Sequence, residues 1–160
     1  MSKTGIIYHP DYLKHDTGFG HPESPYRLTS ILDRLRDSDL LNELTIIEPT
    51  SAKEEDILLI HTREHLEMVK SAWNGGLASL TPDTPISEDS FRVALLAVGG
   101  VLTGIDRIMA GEIKNAMALV RPPGHHATPD QAMGFCLFNN MAIGERHLQK
   151  RHGIKKVLIV

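Results

Sequence analysis

Two adjacent histidines, His125 and His126, are the residues of this sequence best suited to chemistry. They lie in the stretch Arg121–Ala127, where two prolines stiffen the loop and a glycine directly precedes the histidines. The imidazole is the side chain whose ordinary pKa lies near neutrality, so a rigidly held pair suits acid and base catalysis. On these residues alone a second interpretation stays open, in which both rings are structural and bond backbone carbonyls.

The residues around the two histidines do not indicate direct metal binding by this pair. A zinc site needs three or four ligands, and the nearby candidates Asp130 and Cys136 form none of the recurrent zinc spacings. Cys136 precedes a predicted helix N-terminus, which can lower the pKa of a thiol, so a cysteine hydrolase is a further hypothesis. Its neighbours Phe135 and Leu137 are apolar and instead favour an inert, buried thiol.

Three other polar residues have both a structural and a functional interpretation. His65 lies on a predicted helix and suits packing or the surface. Arg27 suits either a polar cavity or a surface ion pair. Asp83 lies between Pro82 and Pro85, where an aspartate commonly begins a turn.

The composition predicts a globular protein, with one domain over residues 1–160. Of its 160 residues 41% are hydrophobic, which is enough to form the core of a single domain. The formal net charge is -3 and like charges form no long block, so direct binding to nucleic acid is not expected. One cysteine and the lack of a secretory pattern predict a cytoplasmic location, or a nuclear one in a eukaryote, and no membrane span is predicted.

Strands and helices alternate along the sequence. Caps and apolar periodicity predict helices that begin near Ser24, Ser51, Thr62, Ser87 and Asn139. Strands are predicted at Gly5–Tyr8, Thr45–Ile47, Ala116–Val120 and Lys155–Val160, and a loop at 76–85. This order predicts an α/β fold with a mostly parallel sheet and flanking helices, in which Ala116–Val120 is central and Lys155–Val160 is buried. The dihistidine loop, residues 121–127, then leaves the C-terminal end of a strand, where such folds place their sites.

Four stretches make the sequence resemble the histone deacetylase family. They are the early run His21–Leu28, the stretch Arg121–Ala127, Gly134–Cys136 followed by Phe138–Asn140, and the closing run Gly153–Val160. The Pro-Pro-Gly-His-His form is more similar to class II enzymes and to bacterial amidohydrolases of the acetylpolyamine and acetoin-utilisation types than to class I. The resemblance covers essentially the whole chain and implies an arginase/deacetylase-like fold.

The resemblance implies zinc-dependent hydrolysis of an acetyl amide, with an acetylated protein lysine or a small polyamine as substrate. His126 would then be the general base that takes a proton from water, and His125 its partner near the leaving amine. Phe135 would form one wall of a narrow apolar channel, and Gly134 would line the channel with backbone. Asp83 would lie at the rim and accept hydrogen bonds from the substrate backbone.

The resemblance also implies that the zinc ligands lie beyond Val160, because in the family an Asp-x-His motif follows a strand like Val157–Val160. No metal ligand is therefore assigned within this sequence, the sheet is expected to be incomplete at its C-terminal end, and residues 1–160 alone are expected to be inactive. The alternative is a truncated binding or regulatory module, whose exposed sheet edge would take a partner. The oligomeric state and the partner proteins are left open.

Overall fold

The computed structural model describes residues 3–160, which form a parallel sheet and a small hairpin with helices packed around them. The strands are, in chain order, β1 (Thr4–Ile7), β2 (Leu44–Ile47), β3 (Ser79–Thr81), β4 (Thr84–Pro85) and β5 (Asn115–Ala118). The helices are α1 (Tyr26–Asp37), α2 (Glu54–Ile57), α3 (Arg63–Ser71), α4 (Ser90–Met109) and α5 (Asn140–His152). Two short 3₁₀ turns occupy Pro10–Lys14 and Leu40–Glu43.

The main sheet has the order β2-β1-β5, and both of its strand pairs are parallel. In the register of the ladders, Ile6 of β1 pairs with Ile46 on one side and with Met117 on the other. Parallel neighbours place their C-terminal ends at one edge, so the loops after β1, β2 and β5 meet there. This arrangement confirms the predicted α/β class.

Helix α4 lies against the sheet and is buried along most of its length, as its apolar sequence predicts. On one side its residues Val93, Leu96 and Ala97 pack with Leu28 and Leu32 of α1. On its other side the core is formed with α3, α5 and the segment before α5 by Leu66, Val69, Ala94, Val98, Leu137, Phe138 and Ile143. Gly99 lets the backbone of residues 50–52 approach α4 closely, because a Cβ there would clash with the carbonyl oxygen of Thr50.

Helix α5 has the boundaries that local signals predict. The side-chain oxygen of Asn139 accepts a hydrogen bond from the N–H of Ala142 at 3.0 Å and caps the first turn. Gly153 ends the helix in the left-handed region, with φ of 68°. Three other predicted starts are displaced by one or two residues: the capping positions are Pro25, Lys53 and Asp89 instead of Ser24, Ser51 and Ser87.

Three predictions about strands are wrong. The run Ala116–Val120 is not central, because β5 pairs with β1 alone among residues 3–160 and Asn115–Ala118 are exposed. Residues 155–160 form no strand, and Leu158, Ile159 and Val160 are exposed. An apolar run becomes a buried strand only where a neighbour supplies a ladder and a cover, and sequence periodicity carries no information on either. The predicted loop at 76–85 contains the antiparallel hairpin β3–β4.

None of the helices within residues 3–160 is both long enough and apolar enough to cross a membrane.

Candidate active site

Only Leu119 and Val120 separate the end of β5 from the dihistidine loop, so the sheet fixes the starting point of the loop. Leu119 and Val120 are buried, and the N–H of Leu119 still bonds the carbonyl of Ile7 in the neighbouring strand. Further along the loop, His125 and His126 turn outward and both are exposed. Their ring centroids are 4.1 Å apart with an angle of 54° between the ring planes. The two imidazoles therefore lie side by side at the C-terminal edge of the sheet.

Arg121 anchors this loop from inside the protein, where its side chain is completely buried. Its Nε and Nη2 donate to the two carboxylate oxygens of Glu23 at 2.7 and 2.8 Å, and its Nη1 donates to the carbonyl of Tyr12 at 3.1 Å. Burial alone would raise the pKa of Glu23, but the hydrogen bonds and charge of Arg121 outweigh it and the pKa is lowered. The pair is therefore an ion pair that joins the loop to the His21–Leu28 motif.

Two further side chains complete the surroundings of Glu23. Arg27 donates from Nη2 to the carbonyl of Val120 at 2.9 Å and lies 3.4 Å from the Glu23 carboxylate. His15 bonds Ser90 through Nδ1 at 2.8 Å, and burial followed by the charge of Arg121 lowers its pKa to about 4. Arg27 thus lines a polar site, which is one of the two interpretations given to it from the sequence. His15 is a neutral packing residue.

The end of the dihistidine loop is fixed to the start of α5. Asn139 donates from Nδ2 to the carbonyl of Ala127 at 2.9 Å. His61 lies between the two segments, since its Nε2 accepts the N–H of Asn139 at 2.8 Å and its Nδ1 faces the carbonyl of Pro129 at 3.3 Å. Burial, followed by the neighbouring His65, lowers the pKa of His61 to about 4. A neutral ring that donates at Nδ1 and accepts at Nε2 satisfies both contacts.

Gly134 lies directly against the ring of His126, and Phe135 follows it in the chain. Both have left-handed backbone conformations, with φ of 56° and 68°, and a Cβ on Gly134 would lie 2.7 Å from Cδ2 of the His126 ring. Glycine is therefore required at 134 for the ring of His126 to occupy its position. The ring of Phe135 packs edge-on against His21 with centroids 4.9 Å apart, so the early motif also reaches this site.

Asp83 occupies the tight turn of the β3–β4 hairpin and is exposed. Its Oδ1 accepts hydrogen bonds from the hydroxyls of Thr81 at 2.8 Å and Thr84 at 3.0 Å, and these bonds lower the pKa of Asp83. The hydroxyl of Thr84 also accepts the N–H of Phe135 at 3.3 Å. One threonine thus connects Asp83 to Phe135, and the hairpin brings Asp83 beside the dihistidine region.

An open cavity of about 500 Å³ lies beside these residues. Its lining is mostly apolar, with Val101, Val120, Phe135 and Met141 among the residues that form it, and His125 contributes a polar group. Glu23 and Arg27 also line the cavity and add charged groups to it. Such a cavity suits a ligand with an alkyl segment and a polar end.

Cys136 has no geometry that favours a nucleophile. It is fully buried, its Sγ lies 3.3 Å from the carbonyl of Gly134, and burial raises the pKa of its thiol. A thiol that is protonated at neutral pH and shielded from solvent reacts poorly. The arrangement favours the buried structural interpretation of Cys136.

The zinc expected from the family resemblance finds no ligand set beside the two histidines in the described part of the chain. Within residues 3–160, the one group of three histidine, cysteine or acidic side chains with converging ligand atoms is Asp106, His147 and His152. These residues lie on α4 and α5 and do not include His125 or His126. The residues present therefore do not fit a metal at the dihistidine loop.

Several residues that organise the site were not predicted from the sequence. The pairing of Arg121 with Glu23 joins positions 98 residues apart, and nothing in either local sequence indicates the partner. His61, which contacts both Asn139 and Pro129, was missed for the same reason. The sequence offered one signal of this ion pair. Arg121 directly follows the apolar run at 116–120, and an arginine in such a position is buried only when it pairs with an acidic side chain.

Comparison with known proteins gives a consistent result over nearly the whole chain. Residues 21–160 match the Histone deacetylase domain family. A probable deacetylase of Archaeoglobus fulgidus is 38% identical over 160 residues, which cover 98% of this chain and 44% of that protein. A histone deacetylase-like amidohydrolase of Pseudomonas aeruginosa is 41% identical over 144 residues, which cover 88% of this chain and 37% of that one.

A solved structure extends this likeness to the fold. The crystal structure of the HDA15 HD domain matches with a TM-score of 0.87 at 34% identity, over 97% of this chain and 45% of that chain. This match confirms the predicted arginase/deacetylase-like arrangement of a parallel sheet flanked by helices. The chain spans less than half the length of each of these three relatives.

Proposed function

This chain belongs to the histone deacetylase family, and from that premise we propose that residues 1–160 form the domain portion that supplies proton transfer and one channel wall to an amide deacetylase. The observation that carries the proposal is the side-by-side pair His125 and His126: their ring centroids are 4.1 Å apart, and His125 lines an apolar cavity. Gly134 lies against His126, and Phe135 also lines the cavity.

The reaction is hydrolysis of an acetyl amide. Water adds its oxygen to the carbonyl carbon, the carbon–nitrogen bond breaks, and the products are acetate and an amine that has gained a proton. His126 takes the proton from water, and His125, whose side chain lines the cavity, keeps a proton near the leaving nitrogen. Arg121 acts through the loop and holds the histidines in place without touching the substrate.

The substrate class that suits the cavity is an acetylated primary amine on an alkyl chain, as in acetyl-lysine or an acetylpolyamine. Phe135 and the other apolar lining residues would contact the alkyl stem. The ionised and exposed Asp83 would accept hydrogen bonds from a peptide N–H or from a second amine of a polyamine. Both kinds of substrate share this chemistry.

The expectation of zinc dependence rests on the family, because the described residues offer no ligand set at the dihistidine loop. By the same resemblance the ligands would follow Val160. We therefore expect residues 1–160 on their own to show no deacetylation of an acetyl-lysine peptide or of acetylspermidine, with or without added zinc. Turnover by these residues alone would overturn this part of the proposal.

The role of His126 is tested in the gene product that contains these residues, with zinc supplied and deacetylation measured. His126→Ala should lower kcat by about 10²–10⁴-fold, the usual contribution of a general base, with a smaller change in KM. The matched control is His9→Asn, because His9 lies outside the cavity and an asparagine can still cap the turn at Pro10–Lys14. Wild-type turnover in a folded H126A protein would refute the role.

A second candidate, a binding or regulatory module without catalysis, is favoured by the exposed outer edge of β5. The backbone of this edge forms no ladder within residues 3–160, and Met117 on the strand is exposed. An open edge of this kind pairs readily with another chain. Size-exclusion chromatography with light scattering separates the two candidates: a monomer with a cooperative melt favours an independent module, and aggregation favours an incomplete domain.

A further inference from the structure

The second half of α5 and the last part of α4 bring two imidazoles to one carboxylate. The Nε2 atoms of His147 and His152 each lie 2.7 Å from Oδ1 of Asp106. The two rings are 5.6 Å apart and at 68° to each other, so they approach the oxygen from different directions. All three ligand atoms lie within 4.8 Å of one another.

His147 is held inside the protein, while the other two residues of the group are partly open to solvent. His147 is buried and its side chain is 8% exposed, whereas the side chains of His152 and Asp106 are 19% and 36% exposed. A narrow cleft of about 160 Å³ reaches Asp106 and His147 from solvent. The charged side chains that face the cleft are Lys53, Asp56 and Arg151, and the Nε of Arg151 lies 3.9 Å from Asp106.

We propose that Asp106, His147 and His152 bind a divalent transition-metal ion of the Zn²⁺ class. Two imidazoles and one carboxylate are the donor set that zinc, cobalt, nickel and copper accept, whereas magnesium and calcium prefer oxygen ligands alone. Bonds of about 2.0–2.2 Å would separate neighbouring ligand atoms by ~3.4 Å in a tetrahedron. The imidazoles now lie 2.7 Å from the carboxylate oxygen, so each Nε2 must move away from Oδ1 by about 0.7 Å to admit the ion.

Binding requires each imidazole to present a lone pair at Nε2. Neutral rings reach this state when the proton moves from Nε2 to Nδ1 through solvent, and no net proton is released. The fourth position would face the cleft and hold water, as in zinc sites with three protein ligands. The ion would replace two hydrogen bonds by three coordinate bonds and would tie α4 to α5 more firmly than the hydrogen bonds alone.

This site lies toward the far end of α5 from the dihistidine loop. Helix α5 begins at Asn140, which packs against Gly124, and His147 and His152 follow seven and twelve residues later. At 1.5 Å per residue these positions are about 10–18 Å along the helix axis. The inference is therefore independent of the proposed deacetylation and is tested by metal binding.

The alternative is that the three residues form a hydrogen-bonded clamp and bind no ion. Glutamine separates the two possibilities, because its side-chain N–H₂ can donate to Asp106 as the imidazole does but is a poor ligand for zinc. We therefore use the variants His147→Gln and His152→Gln. The variant His125→Ala/His126→Ala is the matched histidine control, because it removes two exposed imidazoles elsewhere.

The full chain, made without a histidine tag, is stripped with a chelator and titrated with Zn²⁺ at neutral pH by calorimetry and by metal analysis after dialysis. We expect wild type and the His125→Ala/His126→Ala control to bind one equivalent. Because even the loss of an outer-shell partner weakens metal sites by 10–100-fold, the loss of a ligand in either glutamine variant should weaken binding by at least about 100-fold. Cobalt should give a visible spectrum in wild type that both glutamine variants lack.

Circular dichroism without metal establishes that each variant retains its helices, and a glutamine variant that does not is replaced by Asp106→Asn. The proposal is overturned if stripped wild type takes up no Zn²⁺, if the glutamine variants bind as wild type does, or if the His125→Ala/His126→Ala control abolishes binding. A Zn²⁺-induced rise in melting temperature in wild type, absent in His152→Gln, is the supporting stability result.

Discussion

The guanidinium of Arg121 and the carboxylate of Glu23 form a buried, bidentate ion pair, with N–O distances of 2.7 and 2.8 Å. The side chain of Arg121 is 0% exposed and that of Glu23 is 4% exposed. Each charge depends on the other for its compensation, because neither has access to water. The position of the dihistidine loop therefore depends on a residue in the early motif.

Replacing one partner of this pair should be costly. Glu23→Gln leaves the Arg121 guanidinium buried without a counter-charge, and we expect the free energy of unfolding to fall by about 3–5 kcal/mol. The matched control is Asp33→Asn, which removes an exposed ion pair with Arg36 and should cost ~0–1 kcal/mol. Urea unfolding measures both, and equal losses in the two variants would contradict the buried-pair account.

Stability should fall as the pH is lowered, and His61 should account for part of the loss. Its pKa in the folded chain is about 4, below the ordinary value of 6.5. The unfolded chain therefore binds more protons in this interval, so the contribution of His61 is fully present above pH 6.5 and is lost as the pH falls towards 4. A shift of this size corresponds to roughly 3 kcal/mol of unfolding free energy.

Urea unfolding between neutral pH and pH 4 checks this dependence in wild type and in His61→Gln. The variant should be less stable at neutral pH and its stability should fall less steeply. His15, whose pKa is also lowered to about 4, should act in the same direction, so His15→Gln/His61→Gln should have the flattest profile. Parallel profiles for wild type and His61→Gln would exclude the assigned role.

Gly134→Ala should destabilise the chain more than an alanine at another left-handed glycine. The control is Gly76→Ala, whose φ of 84° is also left-handed but whose Cβ would meet nothing within 4 Å. The conformational cost in the control should be about 1–2 kcal/mol. At Gly134 the clash with the His126 ring should add a further ~1–3 kcal/mol. The unfolding free energies of the two variants test this prediction. Equal losses of stability would mean that the His126 ring moves away from the added methyl group without cost.

Cys136 should react slowly with thiol reagents in the folded chain. Its side chain is fully buried and burial raises the pKa of the thiol, so both access and thiolate are lacking. The rate of labelling by a disulfide reagent should rise strongly in urea, where the thiol is exposed. In the deacetylating gene product Cys136→Ala should retain activity. Rapid labelling of the native chain, or loss of turnover in a folded C136A protein, would instead support the hypothesis that Cys136 is the nucleophile of a cysteine hydrolase.

Features set by local sequence were predictable, and α5 is the clearest case. The asparagine cap at Asn139 and the stop at Gly153 act within a few residues, so both were predicted correctly. The placement of the dihistidine loop after β5 was predicted on the same basis. The family motifs added the fold, which the structural comparison bears out.

Features set by long-range contacts were not predictable from local patterns. The apolar residues of β5 and of 155–160 carry a strand signal, but whether a strand is central depends on neighbours that the pattern does not describe. The convergence of Asp106 with His147 and His152 likewise depends on how α4 packs against α5. Because α4 is buried on most faces, its sequence does not indicate which side meets α5.

The separation of Glu23 and Arg121 along the chain also has a kinetic consequence. The two residues are 98 positions apart, so their pairing requires closure of a loop that includes most of the chain. Contacts of such high sequence separation form late and slow folding relative to local helices such as α5. The backbone of the dihistidine loop is thus held in its final shape only after the two ends of this long loop have met.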